Sequence, residues 1–359
     1  MSKPVRALLF ATLAALCAAG SSGASAPDAE RVMAGGAVAD LPLSVMTYNV
    51  MGLPWPVAFG RDEALARIAD RLAGLRAQGR QPHILMLQEA FIVDPAQFAR
   101  RAGYAHVAAG PDAAMRTPLP ATAADRAFLA GARWDRGETA GRQMGSGLVI
   151  LSDYPIVKAE RMAFPAFACA GFDCLANKGV LIAHLAVPGM AAPVAVVNSH
   201  LNARKAAGVA VARSFRAFDR QAGLLADFVA AKAPPGRAVI IGGDFNIGRD
   251  RQRIAAFFAR TEAAGLGFVA PHLGGAKRAL AGDAPVVGEG DLRRAAERQK
   301  DWLFARGADG RPMRVMQAQA PFGEAAGPML SDHVGYALSY APVGERPVQL
   351  ADRGRNPGG

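Results

Sequence analysis

The sequence predicts an α/β or α+β fold, a layered sandwich built as one domain over about residues 42–341. Short apolar runs such as Ala238-Val239-Ile240-Ile241 read as buried strands. Other stretches repeat apolar residues at three- and four-residue spacing, the mark of a helix packed on one face. The two kinds follow one another without strict strand–helix–strand alternation, so an all-parallel sheet is not expected. With 359 residues, 51% hydrophobic and only 20% charged, the chain can bury a full core and does not have the composition of a disordered protein.

In chain order, Lys3 and Arg6 precede an apolar run from Ala7 to Ala19, and small residues follow up to Ala24-Ser25-Ala26. That order describes an export signal over 1–26, too short to span a bilayer comfortably, and places the mature protein in the periplasm or outside the cell. Residues 27–41 read as a linker. The net charge of +11 falls by two, to +9, when Lys3 and Arg6 are removed. A basic balance fits a phosphate-bearing or polyanionic partner, and equally fits a surface solvated by arginine. Cys169 and Cys174 remain after processing; an oxidising compartment allows them to pair, but their spacing alone does not require it.

Leu43 to Val50 predicts a strand, and the two prolines of Gly52-Leu53-Pro54-Trp55-Pro56 impose a loop. Leu65, Ile68, Ala69, Leu72 and Leu75 give a helix over 61–76, with Gly79 as its stop. His83 to Leu87 is a buried strand, Phe91 to Arg101 a short helix and Tyr104 to Ala109 another strand. Residues 110–145, rich in Gly, Pro, Ala and Arg, read as a long surface excursion. Strands follow at 146–151, 179–187 and 194–200, the last two joined at Pro188-Gly189. A long amphipathic helix carries Val211, Phe215, Phe218, Leu225, Phe228 and Val229. After the strand at 238–241 come a helix near 251–260 and a polar, Gly-rich stretch over about 271–295. Strands beginning at Asp301, Met313 and His333 finish the domain, and the tail from Pro342 reads as disordered.

Polar residues stand at the ends of these strands. Gly242-Gly243-Asp244-Phe245-Asn246 offers glycines for a turn, then a carboxylate and a carboxamide two residues apart, on one side if the chain stays extended. Asn49 and Glu89 each close a strand, and their oxygens suit a hard cation such as magnesium. No Cys/His spacing resembles a zinc set. Asn198-Ser199-His200-Leu201-Asn202 closes another strand, and Ser331-Asp332-His333 sets an acid beside an imidazole before the last. Asp332 is a candidate to support a metal, and His333 to stabilise or protonate a developing charge. Asp301 would fix the tautomer of a histidine that it meets. Each has a plain structural reading as well: a strand cap, or a satisfied core histidine.

Met46-Thr47-Tyr48-Asn49, Leu87-Gln88-Glu89, Asn198 to Asn202, Gly243 to Asn246, Asp301-Trp302-Leu303-Phe304 and Ser331-Asp332-His333 together resemble the endonuclease/exonuclease/phosphatase superfamily, in that family's order and over about residues 43–340. The resemblance implies a four-layer sandwich of two packed mixed β-sheets flanked by helices, and magnesium-dependent phosphoester hydrolysis with one or two ions, Mn2+ or Co2+ being substitutes. It implies Glu89 as principal metal ligand, assisted by Asn49 and Asp332. It implies Asp244 to orient or deprotonate water beside Asn246, His200 and His333 to flank the phosphate, Asp301 to buttress His333, and Asn202 to contact phosphate or a second metal.

The substrate is a separate question, because function lives in the site. Phe172 to Val180, with Asp173 and Lys178 before Gly179, resembles a loop of neutral sphingomyelinases, as does Arg142 to Ile156. That implies a phospholipid head-group phosphodiester, with Asp173 and Lys178 as substrate-binding residues and transient contact with a membrane surface. The alternative reading of Asp173 and Lys178 is two unrelated charges on a solvated loop. Residues 319–330 carry only Phe322 as an aromatic, so no membrane-inserting hairpin is expected there, and Trp55 and Phe59 are either interfacial or buried. A nuclease is the alternative, with Arg249, Arg251 and Arg253 tracking a phosphate backbone; a binding protein that kept the fold and lost catalysis is a third reading.

Overall fold

The computed structural model describes residues 43–341 except 269–271 and 273. The export signal, the linker and the tail from Pro342 lie outside the described residues.

Strand polarity explains how the molecule gathers its polar residues. Strands β1 (Leu43–Asn49) and β2 (Ile84–Gln88) run parallel at the centre of a seven-stranded sheet. The sheet is completed by β3 (His106–Ala109), β4 (Val149–Ser152), β9 (Val286–Val287), β11 (Val315–Phe322) and β12 (Gly335–Tyr340), in the order β3-β4-β2-β1-β12-β11-β9. The second sheet has the order β10-β8-β7-β6-β5. It comprises β5 (Ile156–Ala163), β6 (Gly179–Leu185), β7 (Val194–His200), β8 (Val239–Asp244) and β10 (Asp301–Arg306), with β7 and β8 parallel. The carboxyl ends of each parallel pair therefore share one end of their sheet. β10 and β12 run antiparallel to β8 and β1, so their amino ends arrive at the same place, with Asp301 opposite Asp244 and Tyr336 opposite Thr47.

The period-two alternation of each strand builds the layers. Val45, Ile84, Met86 and Ile150 face the other sheet and pack with Leu181, Val196, Ile240 and Leu303. Their neighbours Met46, Tyr48, Leu85 and Leu87 face outward onto α1 (Arg61–Ala77) and α2 (Pro95–Ala102). On the far side Val180, Ile182, Val197 and Ile241 face α4 (Val211–Lys232) and α5 (Arg251–Ala263). The expected four layers follow. All five apolar residues that predicted α1 are buried, each contributing about 1.5–3 kcal/mol if a leucine or isoleucine.

Several elements differ from expectation. The second helix begins at Pro95, because Asp94 caps it by accepting from the amides of Ala96 and Gln97, each at 2.9 Å. The excursion over 110–145 contains α3 (Ala123–Ala130), started by a capping box between Thr122 and Asp125 and docked through buried Phe128. The stretch 271–295 holds α6 (Gly275–Ala281), β9 and most of α7 (Glu289–Arg298); α6 packs through Gly275, Ala276 and Ala279, and α7 through Leu292 and Ala295, too few large apolar residues to make a stripe. β5 lacks an apolar run because it is an edge strand with Val157 and Lys158 toward solvent. Cys169 and Cys174 form a disulfide, with Cα atoms 5.3 Å apart.

Gly242 and Gly243 make no turn; both lie within β8. A Cβ on Gly242 would come within 2.7 Å of Met86 Cε across the sheet interface, and one on Gly243 within 1.9 Å of the Ser199 carbonyl oxygen. Gly243 also has φ of +139°, open to glycine and rarely to other residues. Substitution Gly243→Ala is therefore expected to cost at least about 2 kcal/mol, read as a lower denaturation midpoint at unchanged slope. A midpoint equal to that of the parent would show that β8 can relax away from Ser199.

Candidate active site

At the shared end of the two sheets, Asn49 closes β1 and Glu89 follows β2. His200 closes β7, Asp244 closes β8, Asp301 opens β10, and His333 precedes β12. Two carboxylates meet at one amide: Asn49 Nδ2 donates to Glu89 Oε1 at 2.9 Å and to Asp244 Oδ2 at 3.0 Å. Asn49 Oδ1 accepts from the Met51 amide at 3.0 Å, so its side chain clamps the carboxylates with its NH2 and turns its oxygen to its own chain. That differs from the expected oxygen ligand.

The imidazoles approach the same acid. His200 Nε2 and His333 Nε2 each lie 3.6 Å from Asp244 Oδ2, and His200 Nε2 is 3.9 Å from Glu89 Oε1. Asp301 spans His333 Nδ1 with both carboxylate oxygens, at 2.9 and 2.7 Å. Asn246 does not continue the strand. Its φ of +50° folds it back, its amide donates to Asp244 Oδ1 at 3.0 Å, and its Nδ2 stands 3.1 Å from His200 Nε2. Lys178 Nζ is also 3.1 Å from His200 Nε2, and pairs with Asp173 Oδ1 at 2.6 Å. Both charges are largely enclosed, so the reading of unrelated charges on a solvated loop fails: burial demands the pairing.

Two predicted residues stand apart. Asn202 is fully buried and its side chain is used by backbone: Oδ1 accepts from Ala170 at 2.9 Å and Nδ2 donates to the Ala203 carbonyl at 3.0 Å. It does not reach the cluster. The Asp332 carboxylate is 61% exposed at the rim, 3.9 Å from His333 Nε2. Arg253 differs too. It is buried, donating to the carbonyls of Asn202, Asn246 and Ala203, and so fastens the loops after β7 and β8 together instead of tracking a phosphate backbone.

Electrostatics separates the two histidines. Burial and the neighbouring Lys178 ammonium push His200 down to about 3; its Nε2 faces two donors, so the neutral ring accepts there. Burial works against charge on His333 as well, but the Asp301 and Asp244 carboxylates outweigh it and push it up to about 9. Burial alone would raise Asp244, yet His333 and its other cationic neighbours hold it well below the usual carboxylate range. Glu89 is raised by burial, partly offset by the Asn49 hydrogen bond.

The donor set fits a hard divalent cation. Ligand atoms of Glu89, His200 and Asp244 lie within 4.8 Å of one another, and two carboxylates this close need a positive neighbour. A sequence model of the endonuclease/exonuclease/phosphatase family matches residues 46–333. The chain belongs to that family. It is accordingly a metal-dependent phosphoric ester hydrolase.

Solved structures share the fold. Sphingomyelinase C from Streptomyces griseocarneus is 20% identical with a TM-score of 0.56, covering 84% of this chain and 99% of its own. A variant of beta toxin from Staphylococcus aureus with bound magnesium ions is 15% identical with a TM-score of 0.54, over 83% and 99%. D. rerio TDP2 complexed with single strand DNA product is 16% identical with a TM-score of 0.50, over 83% and 98%. At these identities the likeness is one of fold. No curated protein matches the chain.

Supporting residues escaped the sequence reading. Arg61 donates to the carbonyls of Val50, Met51 and Leu330, joining the loop after β1 to the one before β12. Ser331 Oγ donates to the Asn49 carbonyl at 2.7 Å. Asn198 crosses between sheets, accepting from Gln88 Nε2 at 2.8 Å and donating to the Leu87 and Val149 carbonyls. Only Asn198 and Ser331 lay within motifs singled out beforehand.

The Asp301–His333 geometry sets an expected titration. Asp301→Asn removes a carboxylate that favours the imidazolium, so His333 should lose its proton at lower pH than in the parent. NMR titration of the ring protons checks this, and an unmoved His333 curve would detach Asp301 from its charge.

Proposed function

We propose that this protein is an exported phosphodiesterase that hydrolyses the head-group phosphodiester of a phospholipid, in the manner of a sphingomyelinase, with Mg2+ as its ion. The observation that carries the lipid reading is the position of Lys178. The loop that resembles sphingomyelinases is not peripheral: its lysine is buried 3.1 Å from His200 Nε2, with Asp173 beside it. The S. griseocarneus sphingomyelinase C likeness agrees with this reading, and a disulfide at Cys169–Cys174 supports export, since such bonds persist in oxidising compartments.

Glu89 and Asp244 would hold the cation, with the Asp332 carboxylate exposed at the rim beside His333. When bound, a divalent ion neutralises charge gathering on the phosphoryl oxygens. Asp244, kept ionised, orients the attacking water; a carboxylate so far below neutrality aligns a nucleophile better than it stores a proton. Asn246 fixes Asp244 Oδ1 and the rotamer of His200. His333, cationic and steadied by Asp301, donates to a phosphoryl oxygen in the transition state. Neutral His200 and Lys178 line the opposite side, Lys178 as a point charge toward phosphate.

One observation favours nucleic acid. A groove of about 540 Å³ opens beside Asn246, lined by Arg204, Lys205, Arg249 and Lys300. Arg204 and Arg249 are engaged by Asp250 and Glu297, which lowers its attraction for a phosphate backbone.

Release of phosphocholine from detergent-dispersed sphingomyelin, compared with nicking of plasmid DNA, decides between the two. Lipid turnover with magnesium, its loss in chelator, and little nicking are expected; DNA cleavage without phosphocholine release would refute the lipid reading. Asp244→Asn and His333→Gln should each lower turnover by about a hundredfold to ten-thousandfold at unchanged thermal stability. Rates within a few-fold of the parent would remove that residue from the chemistry. Lys178→Met paired with Asp173→Asn removes both buried charges, so stability should hold while lipid turnover falls about tenfold or more. Full activity in that double variant would make the pair purely structural.

A further inference from the structure

The loop that leaves β1 at the active-site end, Met51 to Gly60, contains no charged residue. Its side chains do not fold inward: Trp55 is 76% exposed, Val57 68% and Phe59 76%. Its base, by contrast, is tied down. Arg61 holds the Val50 and Met51 carbonyls, Gly52 donates to the Glu89 carbonyl at 2.8 Å, and Val57 donates to that of Pro54 at 2.9 Å. Prolines on either side of Trp55 restrict the backbone further. A fixed loop presenting three large apolar groups to water is costly unless something covers them, whereas single exposed residues such as Val157 or Val287 need no explanation.

A second apolar group stands at the same end of the sandwich. Trp134 is 81% exposed on the turn Trp134–Arg136. That turn leads to Glu138, which accepts from the Gly171 amide at 2.7 Å; Asp173 in turn accepts from Ala203, just beyond β7, at 2.5 Å. Two separate loops of the seven-stranded sheet, the one after β1 and the one between β3 and β4, thus carry exposed tryptophan at the end where the reaction centre opens. Lys205 and Lys300 sit at that end as cations, while the apolar loop itself is neutral. Uncharged aromatic tips with cations nearby match the layering of a phospholipid interface, apolar just beneath phosphate.

We propose that the loop Met51–Gly60 docks this end of the molecule on a phospholipid surface, inserting Trp55, Val57 and Phe59 among the head groups beside the reaction centre. The proposal rests on the lipid reading above. Phosphatidylcholine vesicles in magnesium buffer test it by co-sedimentation. The combined variant Trp55→Ala, Phe59→Ala should partition at least about tenfold more weakly than the parent, two interfacial aromatics being lost. Its hydrolysis of water-soluble bis(p-nitrophenyl) phosphate should be unchanged. Trp55→Phe should keep the partition but lose part of the blue shift in tryptophan fluorescence on vesicle addition. Equal partition of parent and double variant, or no partition by the parent, overturns the proposal. So does concentration-dependent self-association that the double variant abolishes without vesicle binding, which would make the loop a contact between copies. Vesicle binding by the parent without phosphocholine release would leave the docking intact and overturn the lipid-hydrolase reading instead.

Discussion

Two carboxylates forced onto one amide are the constraint from which the rest of this structure follows. Glu89 and Asp244 both accept from Asn49 Nδ2, so two like charges are held a few ångströms apart in a partly desolvated place. In water such a pair would separate; near a protein surface its repulsion amounts to a few kcal/mol. The fold holds it by joining the ends of three strands from two sheets, and balances it with the His333 imidazolium, Lys178 and Lys300 nearby. An imidazolium alone leaves the cluster anionic on its Glu89 side. A divalent ion there would complete the balance, which is the physical sense in which this site asks for a metal.

Holding that geometry costs backbone strain, and the strain is local. Among the described residues, the non-glycine residues with positive φ are Met51, Glu89, Asn246 and Gln299. Each is a ligand candidate, or lies within two residues of Asn49, Asp244 or Asp301. Such conformations cost of order 1–3 kcal/mol and persist only where surrounding contacts over-determine them. Here Arg61, Arg253 and Asn198 do so by binding carbonyls of separate segments, and Ser331 by tying the Asn49 carbonyl to the loop before β12. Gly242 and Gly243 belong to the same economy: they let the two sheets, and β7 and β8, come close enough for the ends to meet.

The sequence made the strands legible, because a buried strand is a short apolar run and its end is where polarity returns. Asn49, Glu89, His200, Asp244, Asp301 and His333 were all found that way, and strand polarity then brings them together. What remained hidden had no local signature. Helix α6 buries only Ala and Gly, and α7 a single leucine with Asp291 and Ala295, so neither shows the apolar stripe that marks a helix. Asn202 looks like its neighbours in the motif, but the chain leaves the strand at Leu201 and turns that side chain into the Ala170 backbone. Arg253 sits among exposed arginines, and only the loops closing over α5 reveal that it is buried. Phe322, noted in the sequence only as the one aromatic of its segment, ends β11 and packs with its ring centre 4.8 Å from that of Tyr48.

The two histidines show how far position outranks residue type. Both place Nε2 at 3.6 Å from one oxygen of Asp244, and by sequence they are near equivalents, each beside a polar residue at a strand end. Their second partners differ. His333 has a carboxylate behind it at Nδ1 and is drawn toward the imidazolium. His200 has an ammonium and an amide in front of it at Nε2, and no hydrogen-bond partner among the described residues at Nδ1, so it stays neutral. A phosphate entering between them would meet a donor on one side and, on the other, a ring that must first yield its lone pair. The site is therefore polarised before substrate arrives: the β12 side presents an imidazolium, and the β7 side a neutral ring backed by the Lys178 ammonium, so of the two rings it is His333 that can donate at once to a phosphoryl oxygen gaining charge.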